Sequence, residues 1–491
     1  MISRPRWLMR LAVAAVLGGM GVAAAPAQPP PARSLAFTRQ PASVFSGGVP
    51  AEGAPGEPLH LTLDEAIARG LDHNLVPLLA AEDVRRARAL RAADVGELLP
   101  RAYAALRQSS RQINLDAFGF SGSFGGDEPV PSVVGPFDLY DARLTLQWAL
   151  FDPAAIARAR RGAAAVDAAE LSLEDARELV VLAVADQYLQ MLAAERLTAS
   201  VEAEVGTSEI LRRIALDRKE AGSAAGIEVL RAEVRLQQDR QRLIATRNAQ
   251  TKQRLDLARM IGLPLGQELE PADGMVETAP PPPALDAAVA QAWTRRRDLA
   301  AATARLEAAR AARRAATRER YPALRLQGDY GVLGREIDTT KETFDLGASI
   351  AVPIYDRASI DSEAIRSEAE LRAREAELAD LRAAVYYEVR ISLLDLEAAR
   401  ELVEVGRAGL DLARRQIEQA RNRFSAGVAS NLEVVEAQES LARADETFIA
   451  SLYLLTLERL RLGRALGAIN EAVPGLVAPP APTGDGPAGV P

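Results

Sequence analysis

Two helical runs far longer than those of ordinary globular domains dominate the hydrophobic pattern of this chain. Residues 153–220 and 359–424 each keep a helical spacing without a break, which corresponds to roughly 100 Å of helix at 1.5 Å per residue. Each run ends at a glycine-containing turn and then returns as a second helical run. The pattern therefore predicts two long antiparallel helical hairpins, over 153–263 and 357–467. Apolar positions with coiled-coil spacing on the last helix are Leu441, Phe448, Leu452 and Leu455.

Shorter segments between a proline and each hairpin alternate with period two, which is typical of strands with one apolar and one polar face. In 137–150 the even-numbered positions from Tyr140 onward are apolar, whereas Asp141, Arg143, Thr145 and Gln147 are polar. We therefore predict a strand pair ahead of each hairpin. The four predicted strands lie in 102–115, 137–150, 324–332 and 344–352, in pairs near 101–150 and 322–353, and the first of them has the weakest pattern.

An internal duplication explains this recurrence. The segment AGSAAGIEVLRAEVRL from Ala221 matches AGVASNLEVVEAQESL from Ala426 at an offset of about 205 residues. Thr62 and Glu65 have the spacing of a capping box, which places the first helix near residue 62. The predicted organisation is a signal peptide (1–27), a mobile Pro/Gly/Ala-rich arm (28–59), a first repeat (60–266), a Pro-rich linker (267–283), a second repeat (284–468) and a flexible tail (469–491).

Composition narrows the function classes. Hydrophobic residues form 48% of the 491 residues and aromatic residues only 4%, as expected for thin helices that pack along extended seams. The first 27 residues carry Arg4, Arg6 and Arg10 ahead of an apolar run and an Ala-Pro-Ala site, a pattern typical of a secretory signal. Its removal takes the net charge from −8 to about −11, which disfavours a nucleic-acid partner because phosphate binding needs clustered positive charge.

Chemistry-bearing residues are sparse. The chain has no cysteine, and its two histidines, His60 and His73, have no set of possible metal ligands spaced around them. No nucleophile, base and orienting group stand in a recognisable arrangement. We therefore expect no cofactor, no metal site and no enzymatic activity.

The four strands indicate an assembly. Beyond the signal the sequence has no apolar run of the roughly 18 residues that a membrane-spanning helix requires, and four strands are too few to close a membrane barrel. Secretion without such a helix permits either an outer-membrane barrel or a soluble periplasmic protein. For a barrel, a cyclic trimer supplies twelve strands. The predicted fold class is mainly α with a small β part: long antiparallel helical hairpins form a coiled-coil α-barrel, and each chain adds four strands to a trimeric twelve-stranded outer-membrane β-barrel.

Three motifs carry a family resemblance: LTLDEAIARGLDHN from Leu61, VPIYDRASI from Val352 and RNRFSAGVASNLEVVEAQESL from Arg421. With them, residues 60–468 closely resemble the TolC-type outer-membrane efflux family. The resemblance implies a homotrimer in the outer membrane of a Gram-negative bacterium, with a helical tunnel through the periplasm. It also implies docking to a periplasmic adaptor and to an inner-membrane pump of the RND, ABC or MFS type.

The resemblance also implies roles for particular residues. Acidic positions that form the family's narrow periplasmic entrance fall on Glu433 and Glu436, with Glu228 as the single counterpart in the first repeat, where Arg231 replaces the second glutamate. The turns that meet the adaptor contain Gly222, Gly226, Phe424 and Gly427. From the strand pattern, the barrel aromatics expected to face outer-membrane lipid are Tyr140, Trp148, Tyr330 and Phe344.

Two other readings stay open at this point. A periplasmic coiled-coil adaptor would also carry a long helical hairpin, but it should have one hairpin flanked by β-rich domains. The entrance glutamates also fit ordinary solvated helix positions, and the glycines of the turns also fit a purely structural role as helix ends.

Overall fold

The computed structural model describes residues 44–53, 56–119, 131–222, 225–354, 357–426, 428 and 431–478. The predicted signal peptide and Gly427 lie outside these residues. The helices are α1 Leu63–His73, α2 Leu75–Gly96, α3 Pro153–Glu220, α4 Gly226–Met260, α5 Leu285–Arg295, α6 Arg297–Arg318, α7 Arg357–Ser425, α8 Asn431–Ala465 and α9 Ile469–Ala472. The strands are β1 Leu59–Leu61, β2 Arg101–Asn114, β3 Val133–Phe151, β4 Leu269–Pro271, β5 Gly274–Met275, β6 Ala323–Gly334, β7 Lys341–Ala351 and β8 Val477–Ala478.

The duplication predicted from sequence is visible in the helix lengths. Helices α1 and α5 have 11 residues each, α2 and α6 have 22, and α4 and α8 have 35. Helices α3 and α7 have 68 and 69 residues. Their inner faces match at an offset of 205, since Val180 and Val184 are fully buried in α3 and so are Val385 and Val389 in α7.

Near the start of each repeat, a single residue separates the helix of 11 residues from the helix of 22 residues that follows it. Thr62 accepts a hydrogen bond from the Glu65 backbone and Glu65 reaches back to the Thr62 backbone, so the predicted capping box is present. Asn74 ends α1 and caps α2 through its side chain. Its counterpart is Arg296, a buried arginine between α5 and α6 whose charge is met by Asp298 at 2.6 Å.

The four predicted strands form one antiparallel sheet in the order β2-β3-β6-β7. Each repeat supplies one adjacent pair, and the two repeats join where β3 pairs with β6, with Leu144 opposite Tyr330. Strands β2 and β7 are therefore the two edges of the sheet within one chain. An unpaired edge leaves backbone N–H and C=O groups available for pairing with further strands.

The long helices form a layer in the same order as the strands. Helix α3 packs against α2 and α4 of its own repeat and against α6 and α8 of the second repeat, whereas α7 packs against α6 and α8. Helix α3 is thus central, and the layer ends with α2 and α4 on one side and with α7 on the other. The hairpin seam between α7 and α8 buries Phe448, Leu452 and Leu455 and half-buries Leu441, as the coiled-coil spacing predicts.

Three segments are more ordered than the sequence predicts. In the linker predicted at 267–283, β4 pairs with β1 and β5 pairs with β8. In the tail predicted to be flexible from 469, Ile469, Val473 and Leu476 are buried in the main core. In the arm predicted at 28–59, the Val49 backbone donates to His73 at 2.8 Å. Pro- and Gly-rich composition does not reveal these short pairings, because their partners lie far along the chain.

Among the described residues, no helix combines the length and the apolar character needed to cross a lipid bilayer.

Candidate functional site

The four-stranded sheet has two chemically different faces. All four predicted barrel aromatics lie on one of them, because the strand register places them at alternate, mutually aligned positions. Phe344 is 80% exposed and Tyr330 is 55% exposed in the single chain. The Trp148 indole donates to the Leu98 carbonyl at 3.0 Å, so its polar atom is satisfied while its ring remains on the apolar face. Contact with lipid stays a prediction for Tyr140, Trp148, Tyr330 and Phe344.

The opposite face carries a charged network that spans three strands. Arg143 on β3 donates to Asp141 at 3.2 Å, to Asp329 on β6, and to Thr343 on β7 at 3.3 Å. The side chains of the three charged residues are only about a quarter exposed. The network links the strand pairs of the two repeats across their junction. Alternation identified these positions as polar, but it did not reveal that they pair.

At the far end of the first hairpin, Gly222 lies in the left-handed region with φ +72°. Among the described residues nothing lies within 4 Å of the position that a Cβ would occupy there, and the positive φ explains the glycine. Gly226 begins α4 and is exposed. Both are accessible for the predicted docking role, whereas Gly427 falls outside the described residues.

Phe424 has a different position from the one expected of an adaptor contact. Its side chain is 4% exposed and packs with Leu211, Ile417 and Val434, which come from both hairpins. The Arg218 guanidinium lies 4.7 Å from the centre of its ring. The ring therefore packs between the two hairpin tips, and contact of Phe424 with an adaptor stays a prediction.

The predicted entrance glutamates differ in their surroundings. Glu433 forms an ion pair with Arg423 at 3.0 Å. Glu436 is exposed and has no ion-pair partner among the described residues. Glu228 is half-buried at the equivalent position of the first hairpin. The sequence spacing placed Glu433 and Glu436 on one helical face, but it missed Arg423 because that residue lies on the preceding helix.

An ion-pair ladder between the two hairpins was also missed. Arg235 on α4 reaches Glu439 on α8 at 3.1 Å, and Arg242, seven residues later, reaches Glu446 at 2.8 Å. Arg235 also pairs with the buried Asp239, which accepts a hydrogen bond from Ser208 at 2.5 Å. The equal spacing of seven on both helices is the signal that could have identified this ladder.

No group of three or more side chains suited to a metal ion occurs in the part of the chain that the structure describes. The geometry instead presents a two-faced sheet above long hairpins whose tips are joined by packing and charge.

Comparison with known proteins agrees with this architecture. A family model described as "Outer membrane efflux protein" matches residues 80–263 and 288–468. The pyoverdine export outer membrane protein OpmQ of Pseudomonas aeruginosa is 27% identical over 467 residues, covering 92% of this chain and 94% of that protein. The alkaline protease secretion protein AprF of the same species is 22% identical over 365 residues, covering 72% and 74%.

Two solved structures of outer-membrane proteins have a similar fold. The Campylobacter jejuni channel CmeC superposes with a TM-score of 0.74 at 16% identity, over 87% of this chain and 92% of that chain. The Vibrio cholerae protein VceC superposes with a TM-score of 0.70 at 18% identity, over 82% and 96%.

Proposed function

Because the chain belongs to the outer membrane efflux protein family, we propose that three copies of it form the outer-membrane exit duct of a tripartite export system. The observation that carries this proposal is the open sheet with one apolar and one charged face, set above two hairpins about 100 Å long. Three such sheets give a closed barrel of about twelve strands, with the apolar face toward lipid and the face of Arg143 toward a wet lumen.

The proposed duct is a passive conduit. Its relatives are named for cargoes as different as pyoverdine and alkaline protease. One architecture for a small molecule and for a protein supports a wide lumen without a selective binding site. We infer that the inner-membrane pump supplies the energy and that the periplasmic adaptor connects the pump to the duct.

Gating is proposed for the hairpin tips. Packing around Phe424 and the ladder from Arg235 and Arg242 to α8 hold the two hairpins of a chain together. Docking of an adaptor near Gly222 and Gly226 would stabilise an arrangement in which these tips separate, since a ligand shifts a two-state equilibrium only by binding one state more tightly. Glu436 of each copy would then line the entrance as an uncompensated carboxylate.

Reconstitution into planar lipid bilayers tests this function. The purified protein should give discrete conductance steps of one size, and its single-channel current should favour cations. A protein that needs no detergent and leaves bilayer conductance unchanged would instead support the adaptor interpretation.

A further inference from the structure

The duplication makes it possible to compare the covered centre of the helix layer with its open edge. Helix α3 is central and helix α7 is at the edge, and the two match at an offset of 205. On α7, Leu394 is 58% exposed and Leu402 is 48% exposed. The three α3 residues of the identical pairs given next are at most 7% exposed. The identical pairs are Leu189 with Leu394, Ala193 with Ala398, and Leu197 with Leu402.

The returning helices show the same contrast. Helix α8 packs against α3 with side chains that are buried. Helix α4 carries the matching side chains on a face that none of the described residues covers. Ile449 and Leu460 of α8 are fully buried, whereas their counterparts Ile244 and Leu255 are 71% and 57% exposed. The identical pairs are Ile449 with Ile244, Thr456 with Thr251, Leu460 with Leu255, and Arg464 with Arg259. Exposed apolar residues in a periodic row indicate a surface that is covered in the assembled protein.

Charge identifies the partner of this surface. Within the chain, Arg464 of α8 forms an ion pair with Asp175 of α3. The residues 205 positions away are Arg259 on α4 and Asp380 on α7, an arginine and an aspartate again. Both are exposed, and in the described part of the chain neither has an ion-pair partner. The arginine and the aspartate of the ion pair inside the chain therefore each occur a second time, on helices at opposite edges of the layer.

We propose that α7 of one copy packs against α4 of the next copy in the same way that α3 packs against α8 within a chain, and that Arg259 forms an ion pair with Asp380 of the neighbouring copy. Leu394 and Leu402 would be covered by the face that contains Ile244 and Leu255. The sheet supports the same order, since β3 joins β6 within a chain and leaves β7 and β2 as the edges that meet between copies. A heterologous contact of this kind generates a ring when its rotation closes.

This inference rests on the ring assembly under the proposed function, but it specifies which helix faces meet. Because the chain contains no cysteine, introduced cysteines can be cross-linked without background. The test uses the full chain with Arg259→Cys and Asp380→Cys, treated with a short bismaleimide after extraction in mild detergent. The matched control carries Ser200→Cys and Asp445→Cys, at positions of α3 and α8 whose side chains are hydrogen-bonded within one chain.

The test variant should become a covalent trimer on a denaturing gel, whereas the control should be cross-linked but keep the mass of one chain. A native trimer whose Arg259→Cys/Asp380→Cys form stays at monomer mass would overturn the proposed contact and leave the duct function intact. A native monomer would overturn both.

Charge reversal provides an independent readout. Arg259→Asp and Asp380→Arg alone should each weaken association by about 30-fold per interface, since each leaves like charges facing one another. The double variant should restore the trimer. Equal association of all variants, or failure of the double variant to recover, would contradict the pairing.

Discussion

Replacement of Arg464 should strongly reduce the stability of the fold. Arg464 lies between Asp175 and Glu178 of α3, with a distance of 3.1 Å from its Nη1 to Glu178 Oε2, and its side chain is only 10% exposed. The two carboxylates are 23% and 12% exposed, and among the described residues Arg464 is the cation that forms an ion pair with each of them. Replacement by methionine would keep most of the packing and leave two carboxylates without their counter-charge. Removing one partner of a buried ion pair costs about 3–5 kcal/mol.

The effect should depend on pH with a defined sign. Burial raises the pKa of Asp175 and of Glu178, although Arg464 counteracts the rise. Since the folded chain then binds protons at these carboxyls more tightly than the unfolded chain, their contribution to stability falls as the pH rises through the raised pKa. Without Arg464 the pKa of Asp175 and the pKa of Glu178 rise further. The deficit of Arg464→Met should therefore be largest at pH 8 and should shrink as the pH approaches about 5.

Urea unfolding followed by circular dichroism, at equal protein concentration in detergent, measures the difference in free energy of unfolding. Arg443→Met is the matched control, because Arg443 is 76% exposed and its ion-pair partner in the described part of the chain is Glu439 at 2.9 Å. Its cost should stay below about 0.5 kcal/mol at every pH. A deficit for Arg464→Met that equals the control, or one that does not change between pH 5 and pH 8, would refute the reasoning.

Further predictions concern the tips and the entrance. Gly222→Ala should lower the free energy of unfolding in urea by about 1 kcal/mol, because the φ of Gly222 is +72°. Gly206→Ala should raise it by about 0.5–1 kcal/mol, because Gly206 lies within α3 with open space around the Cβ position. Changes of the same sign for the two variants would contradict this. Glu436→Gln should lower cation selectivity in planar bilayers more than Glu433→Gln, and Arg423→Gln should raise it, because Arg423 already neutralises Glu433. Combined Arg235→Gln and Arg242→Gln should increase single-channel conductance by releasing α4 from α8, and an unchanged conductance would exclude the ladder from gating.

The long helices and the strands could be predicted because their signals are local and repeated. Residues 153–220 were predicted as one helix and form α3 with the same bounds. The alternation around Tyr140 and Tyr330 placed the aromatics on one face, and the register confirms that placement. Even the weakest strand pattern, at 102–115, corresponds to a strand, β2.

The remaining features depend on contacts between distant residues, which spacing along the chain does not reveal. Tyr188 is fully buried on α3, and its hydroxyl lies 2.8 Å from both the Leu61 carbonyl and the Asp273 carboxylate. Nothing local to residues 267–283 indicates that Asp273 also accepts from the Leu63 backbone at 2.7 Å. The burial of Phe424 is a similar case, since it requires both hairpins to be placed before the ring has its neighbours.

The most direct test of the central claim is the native mass of the mature protein extracted from outer membranes in mild detergent, with its mobility compared before and after heating. A heat-modifiable trimer in the outer-membrane fraction is the result that the proposed shared barrel predicts. A monomer that is released without detergent would contradict the exit duct and favour a periplasmic adaptor.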